Sequence, residues 1–197
     1  MPSTSGERII GKVMADIPPN HVSRYEWAAR ELVKRLEPGS LVLDAACGCG
    51  YGSFILANVG FRVECFDLSA EAELYQQNFH HERVKFRRDS VLNIWGDYRT
   101  YDAVVSIETI EHVDEKWIKD IGRMTDVMIG TVPNQDVVPF DAENYPWHLK
   151  HYTKAEVIEL MEGWWCSDWA TQYAKWEDYE MVPGDDGMTL GWVGHKS

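Results

Sequence analysis

The side chains best suited to chemistry fall in two groups. In "ETIEH", Glu108, Glu111 and His112 stand at i, i+3 and i+4, which puts all three on one face if the segment is helical. Two carboxylates and an imidazole can hold Mg²⁺ or Mn²⁺, and "ENYPWHLKHYT" adds His148 and His151 as further imidazoles. Such a cation would orient a hydroxyl and lower its pKa. Without a cation, His112 or His148 is a candidate general base, because imidazole titrates near neutral pH. A blander reading has both histidines ordering a loop through hydrogen bonds.

The second group surrounds "SLVLDAACGCGYGSFIL", residues 40–56. A phosphate-binding loop needs Gly-Lys-Ser/Thr, and here Gly50-Tyr51-Gly52-Ser53 follows, which excludes that type of NTPase. The spacing Gly48-x-Gly50-x-Gly52 also departs from the dinucleotide fingerprint, and Asp44 at the head of the loop would repel a pyrophosphate. An acid there suits a nucleoside that carries positive charge, such as a sulfonium with an ammonium group. Asp67 lies 23 residues beyond Asp44 (67 − 44), close to the offset of about 20 at which an acid accepts from ribose hydroxyls. Asp89, in "RRDSV", is placed to accept from an adenine amino group. Each acid has a simpler reading too: Asp67-Leu68-Ser69 suits a helix cap, and Asp89 suits a turn.

These residues need a scaffold, and strands and helices alternate to supply one. "LVLDAA", "RVECF", "RVKFR", "YDAVVSI" and "DVMIGTV" read as strands; "YGSFILANVG", "SAEAELYQQNF", "EKWIKDIGRM" and "KAEVIELM" read as helices. Ahead of them, apolar residues from Tyr25 to Leu36 recur at helical spacing and stop at Pro38-Gly39. "SDWATQYAKW" and "MTLGWVG" suggest a closing antiparallel pair. The pattern predicts an α/β, doubly wound, mostly parallel seven-stranded sheet with helices on both faces. Ligands of such sheets sit beyond the carboxyl ends of the strands, where Asp44, Asp67, Asp89 and Glu108 fall.

The chain of 197 residues suits one domain, with residues 1–37 as a helical cover and 132–152 as a candidate lid between strand and helix. Its net charge of −13 disfavours nucleic acid as a partner, because phosphate backbones are bound through Lys and Arg. "HHERVKFRR" is the one basic run and reads as a solvated surface. No apolar run approaches a membrane span, "MPSTSGERIIGKV" lacks the layout of a secretory signal, and the four cysteines show no disulfide or zinc spacing. A cytoplasmic protein with reduced thiols is expected.

With the motifs in view, the chain resembles the class I S-adenosylmethionine-dependent methyltransferases, of the small bacterial and phage type. "VLDAACGCGYGS" resembles their first motif with Ala46 in place of a glycine; "CFDLS", "RRDSV" and "YDAVVSIETIEHV" resemble the next three, and the likeness runs through "GTVPN" and "PWHLKHYTKAEV". The resemblance implies S-adenosyl-L-methionine as cofactor. Its methionine part would lie at Asp44, Ala46, Gly48 and Gly50, its ribose at Asp67 and Leu68, its adenine at Asp89 and Ser90, with Glu108 nearby. "ETIEH" with His148 further resembles two metal-assisted branches, the small-RNA 3′-terminal 2′-O-methyltransferases and the O-methyltransferases of ubiquinone biosynthesis. They imply Glu108, Glu111, His112 and His148 as metal ligands; other members carry the same motif without metal. "NHVSRYEWA" resembles the N-terminal helix of members that modify glycans or small metabolites. O-methylation of a small-molecule or glycan-like acceptor is therefore expected, with RNA 2′-O-methylation or a non-catalytic cofactor-binding module as alternatives. His21, Arg24 and Tyr25 would either touch substrate or pack their helix, while Tyr145 and Trp147 would flank the acceptor. The tryptophans of "GWWCSDWATQYAKW" read as core and strand pairing.

Overall fold

Five strands form a parallel block: β1 (Leu41–Ala45), β2 (Arg62–Asp67), β3 (Val84–Arg88), β4 (Ala103–Ile107) and β5 (Val127–Pro133), of which β1, β4 and β5 are apolar runs and β2 and β3 mix apolar with charged residues. The computed structural model describes residues 8–96, 100–174 and 177–196. Gly6 and Glu7 of the N-terminal cover, and Lys175 and Trp176 of the tail, lie outside them. Strand β8 (Thr189–His195) pairs antiparallel with β5 on one side and with β6 (Trp165–Gln172) on the other, so the expected closing pair is present. The two-residue β7 (Val182–Pro183) follows at the edge, making the order β3-β2-β1-β4-β5-β8-β6-β7. The sheet thus has eight strands where seven are read from the sequence; two residues are too few to show a period.

Alternation along the strands divides the core. Val42, Val63, Val105 and Ile129 face a cluster that includes Trp27, Leu32 and Leu56, from helices α1 (Pro19–Val33) and α2 (Tyr51–Asn58). Leu43, Phe66, Val104 and Met128 face Trp117, Ile118, Ile121 and Val157, from α4 (Lys116–Ile121) and α5 (Lys154–Leu160). A period of two buried on both faces is the mark of a parallel sheet sandwiched between helices. Helix α3 (Ala70–Gln76) is capped by Ser69, whose hydroxyl oxygen accepts from the N–H groups of Glu71 and Ala72. Helix α1 starts at Pro19, earlier than the apolar pattern from Tyr25 shows, because proline is preorganised for a first helical turn. Helix α4 is shorter than "EKWIKDIGRM" suggests.

At the basic run, Lys85, Arg87 and Arg88 lie exposed on β3, an edge strand, where charge discourages pairing with another chain. No described helix is long and apolar enough to cross a membrane. The order reverses at β1 beside β4, with Asp44 in register with Val105. That switch opens a crevice beyond the carboxyl ends of both strands.

Candidate active site

The crevice is a cleft of about 680 Å³, lined by the loop after β1, the ends of β2 and β4, the turn after β3, helix α1 and residues 145–148. Seven of the nine residues expected at a cofactor line it: Ala46, Gly48, Asp67, Leu68, Asp89, Ser90 and Glu108. Asp44 and Gly50 do not. Asp44 is fully buried, with Oδ1 accepting from the Tyr25 hydroxyl at 2.9 Å and Oδ2 from the Ser53 hydroxyl at 2.6 Å. Gly50 caps α2 at φ 89°, facing Gln76. The acid that heads the glycine loop thus ties helices to strand, and the loop's own backbone meets the cleft.

That loop is bent by left-handed residues, Ala46 at φ 60° and Gly48 at φ 56°. The Gly48 N–H donates to Asp67 Oδ2 at 3.1 Å, and the Ser69 N–H donates to Oδ1 at 2.8 Å. Arg8 Nε lies 3.3 Å from the same Oδ1. Asp67 therefore sets the loop and the start of α3 while it borders the cleft. Asp89 Oδ1 accepts from Asn93 Nδ2 and from the Ser90 N–H; these bonds favour the carboxylate and hold its pKa below the ordinary value. The four cysteines are free thiols.

At the end of β4, Glu108 adopts φ 49°, an uncommon conformation for a side chain of its size. Thr131 and Arg24 hold it there. Thr131 takes the Glu108 N–H on its carbonyl oxygen and donates its hydroxyl to Oε1 at 2.9 Å; Arg24 Nη1 lies 3.2 Å from Oε2. Arg24 is buried and also donates to Gln172 Oε1 and Thr189 Oγ1, joining α1 to β6 and β8. Backbone held in a sparse region by several partners is a common mark of a working site.

Because Glu108 is left-handed and only the short 3₁₀ turn Ile110–His112 follows, the helical face read from "ETIEH" does not form. Among the described residues, Glu111, His112 and His148 do converge, each offering a ligand atom within 4.8 Å of the others; Glu108 stays with Arg24 and Thr131. The segment 134–151 brings His148 in: the Leu149 N–H donates to the Glu111 carbonyl at 2.6 Å, and His112 Nδ1 lies 3.0 Å from the Trp147 carbonyl oxygen. Burial, with His112 and His151 beside it, pushes the His148 pKa down to about 4, so at neutral pH its ring is uncharged, a weak base whose bare nitrogen can accept a hydrogen bond or bind a cation. One carboxylate with two imidazoles suits Mn²⁺ better than Mg²⁺, which favours oxygen donors.

Sequence reasoning noticed Arg24 and Tyr25 without their partners. It missed Ser53, Gln172, Thr131 and Thr189 altogether, because hydroxyls and amides carry no spacing signal.

A parallel sheet with its glycine loop at the switch of strand order, closed by an antiparallel pair, has the Rossmann-like architecture of class I methyltransferases. Residues 42–128, a little under half of the chain, match the family model described as a methyltransferase domain, and the fold is the one class I methyltransferases share. A probable S-adenosylmethionine-dependent methyltransferase of Mycolicibacterium smegmatis is 28% identical over 148 residues, 71% of this chain and 56% of that one. The chain thus spans little more than half that relative's length. Magnesium protoporphyrin IX methyltransferase from Synechocystis, solved with bound S-adenosylhomocysteine, superposes with a TM-score of 0.69 at 18% identity, covering 98% of this chain and 91% of that one. The methyltransferase domain of bacterial CtHen1-C superposes at 0.65 with 17% identity, over 90% of this chain and 99% of that one.

Proposed function

We propose that this protein transfers a methyl group from S-adenosylmethionine to an oxygen of a small, hydroxylated acceptor. One observation carries the reading: a single cleft holds the glycine loop with Asp67 and Asp89 and, beside them, the Glu111–His112–His148 cluster. The left-handed Gly48, with nothing within 3.9 Å of where a Cβ would stand, leaves room for a ligand against the loop. Asp67 and Leu68 would hold the ribose, Asp89 and Ser90 the adenine, and Ala46 and Gly48 the methionine end. The cofactor supplies an activated methyl on a sulfonium, so the chain's task is alignment and removal of the acceptor's proton. His148 would accept a hydrogen bond from the acceptor hydroxyl and receive its proton as the methyl transfers, with His112 and Glu111 beside it.

The remaining lining is polar and aromatic, with Asn20, His21, Gln172 and Thr189 as well as Tyr145 and Trp147, which suits a phenol or sugar hydroxyl. A porphyrin methyltransferase among the structural relatives supports a small-molecule acceptor. The net charge of −13 counts against RNA. A second reading rests on the converging ligand atoms: Glu111, His112 and His148 would hold Mn²⁺, which would lower the pKa of the acceptor hydroxyl.

The deciding experiment is a calorimetric titration with S-adenosylhomocysteine, with NAD as comparison, followed by an acceptor screen with and without Mn²⁺. Micromolar binding of the first ligand alone, and turnover of a hydroxylated acceptor, are expected. No binding of S-adenosylhomocysteine would remove the cofactor assignment; binding without turnover on any acceptor would favour a non-catalytic module.

A further inference from the structure

His148 reaches the cleft from a chain of contacts that starts at a backbone carbonyl. His151 Nδ1 lies 2.6 Å from the carbonyl oxygen of Val138, and His151 Nε2 lies 2.8 Å from His148 Nδ1. A carbonyl oxygen only accepts, so His151 Nδ1 carries a hydrogen. The other nitrogen of a neutral imidazole is then bare, so His151 Nε2 accepts and His148 Nδ1 donates. By the same logic His148 Nε2 becomes that ring's acceptor, the one atom of the ring able to take a proton or a cation.

We propose that His151 is a positioning residue, which fixes His148 as the Nδ1–H tautomer and so presents Nε2 as its reactive nitrogen. This rests on the reading of His148 as base or ligand given above, and it adds a residue and a tautomer to it. His151 is buried at 2% exposure, where solvent cannot stand in for its acceptor nitrogen. Tyr145 packs on both rings, with centroids 4.6 Å from His151 and 5.3 Å from His148, and Phe140 closes the far side of His151 at 5.6 Å. The rings are therefore held against rotation. A second carbonyl of the same connecting segment orients His112, whose Nδ1 faces the Trp147 oxygen at 3.0 Å. Hydrogen bonds to carbonyls commonly orient working histidines in this manner.

The test reads the tautomers directly, by long-range proton–nitrogen correlation of the histidine rings in the nitrogen-15-labelled full chain without ligand. Loss of one ring's signals in His148→Asn assigns His148. The expected spectrum shows a pyrrole-type Nδ1 and a pyridine-type Nε2 for His148. His151→Gln is expected to preserve it, since the amide oxygen accepts from His148 while the amide nitrogen donates to Val138. His151→Leu is expected to shift His148 toward the Nε2–H form. A wild-type His148 in the Nε2–H form, or a His151 protonated on both nitrogens, would overturn the proposal; so would an unchanged tautomer in His151→Leu. If the leucine variant does not fold, the wild-type and glutamine spectra still decide. The measurement needs no cofactor or acceptor, so a failed methyltransferase assay and a failed tautomer assignment are told apart.

Discussion

The Tyr25 hydroxyl donates to Asp44 Oδ1 across 2.9 Å, fastening helix α1 to the end of strand β1 directly behind the glycine loop. Both groups are buried. Tyr25 is seated so closely on α2 that a Cβ at Gly52 would lie 2.1 Å from its ring, which explains a glycine at that position. The covering helix is thus joined to the loop by a charged hydrogen bond and by ring packing together.

Removing that hydroxyl should be felt at a distance. Tyr25→Phe leaves a buried carboxylate one donor short, at an expected loss of about 1–3 kcal/mol. Urea unfolding measures the stability, and calorimetry with S-adenosylhomocysteine shows whether the loop is disturbed. Stability within about 0.5 kcal/mol of wild type would mean that the bond does not hold the helix.

The same carboxyl makes stability depend on pH. Burial pushes Asp44 up to about 6, against the lowering effect of its bonds from Ser53 and Tyr25. Its folded pKa lies above its unfolded value, so the folded state holds the extra proton between about pH 4 and pH 6. The stability this contributes is present at low pH and lost as pH rises through about 6. Relative to Asp44→Asn, the wild type should lose about 3 kcal/mol between pH 4 and pH 7. A difference between the two proteins that stays level over this range would show that Asp44 titrates as an ordinary carboxylate.

Ala46 bears a backbone strain that glycine would relieve. At φ 60° an L-residue costs about 1–2 kcal/mol, and the lost methyl contact returns about 0.8 kcal/mol of that. Ala46→Gly should stabilise the protein by about 0.5 kcal/mol, a small rise in the urea midpoint. A fall of more than about 1 kcal/mol would mean that packing of the methyl outweighs the strain.

For the metal-assisted reading, wild-type protein should bind one Mn²⁺ in a calorimetric titration. Glu111→Gln should weaken it by at least about tenfold. Equal affinities in the two proteins, or no heat with either, would leave the cluster to proton transfer alone.

Much of the scaffold was legible in the chain, for a physical reason. Apolar runs buried on both faces, separated by capped helices and turns, admit few arrangements other than a covered parallel sheet. That arrangement sends Asp67, Asp89 and Glu108 to one edge before any contact is known. Those signals are local, set by the period of a strand or the cap of a helix. What the tertiary structure decided is which atoms meet. Asp44 turned from the cleft because Tyr25 and Ser53 offer it hydroxyls from two helices. Glu108 left its neighbours in "ETIEH" because Arg24 and Thr131 hold it at a left-handed φ that ends the strand without starting a helix. His148 joined Glu111 and His112 because the segment after β5 folds back onto the turn after β4. Such pairings depend on strand order and loop path, which no spacing along the chain records.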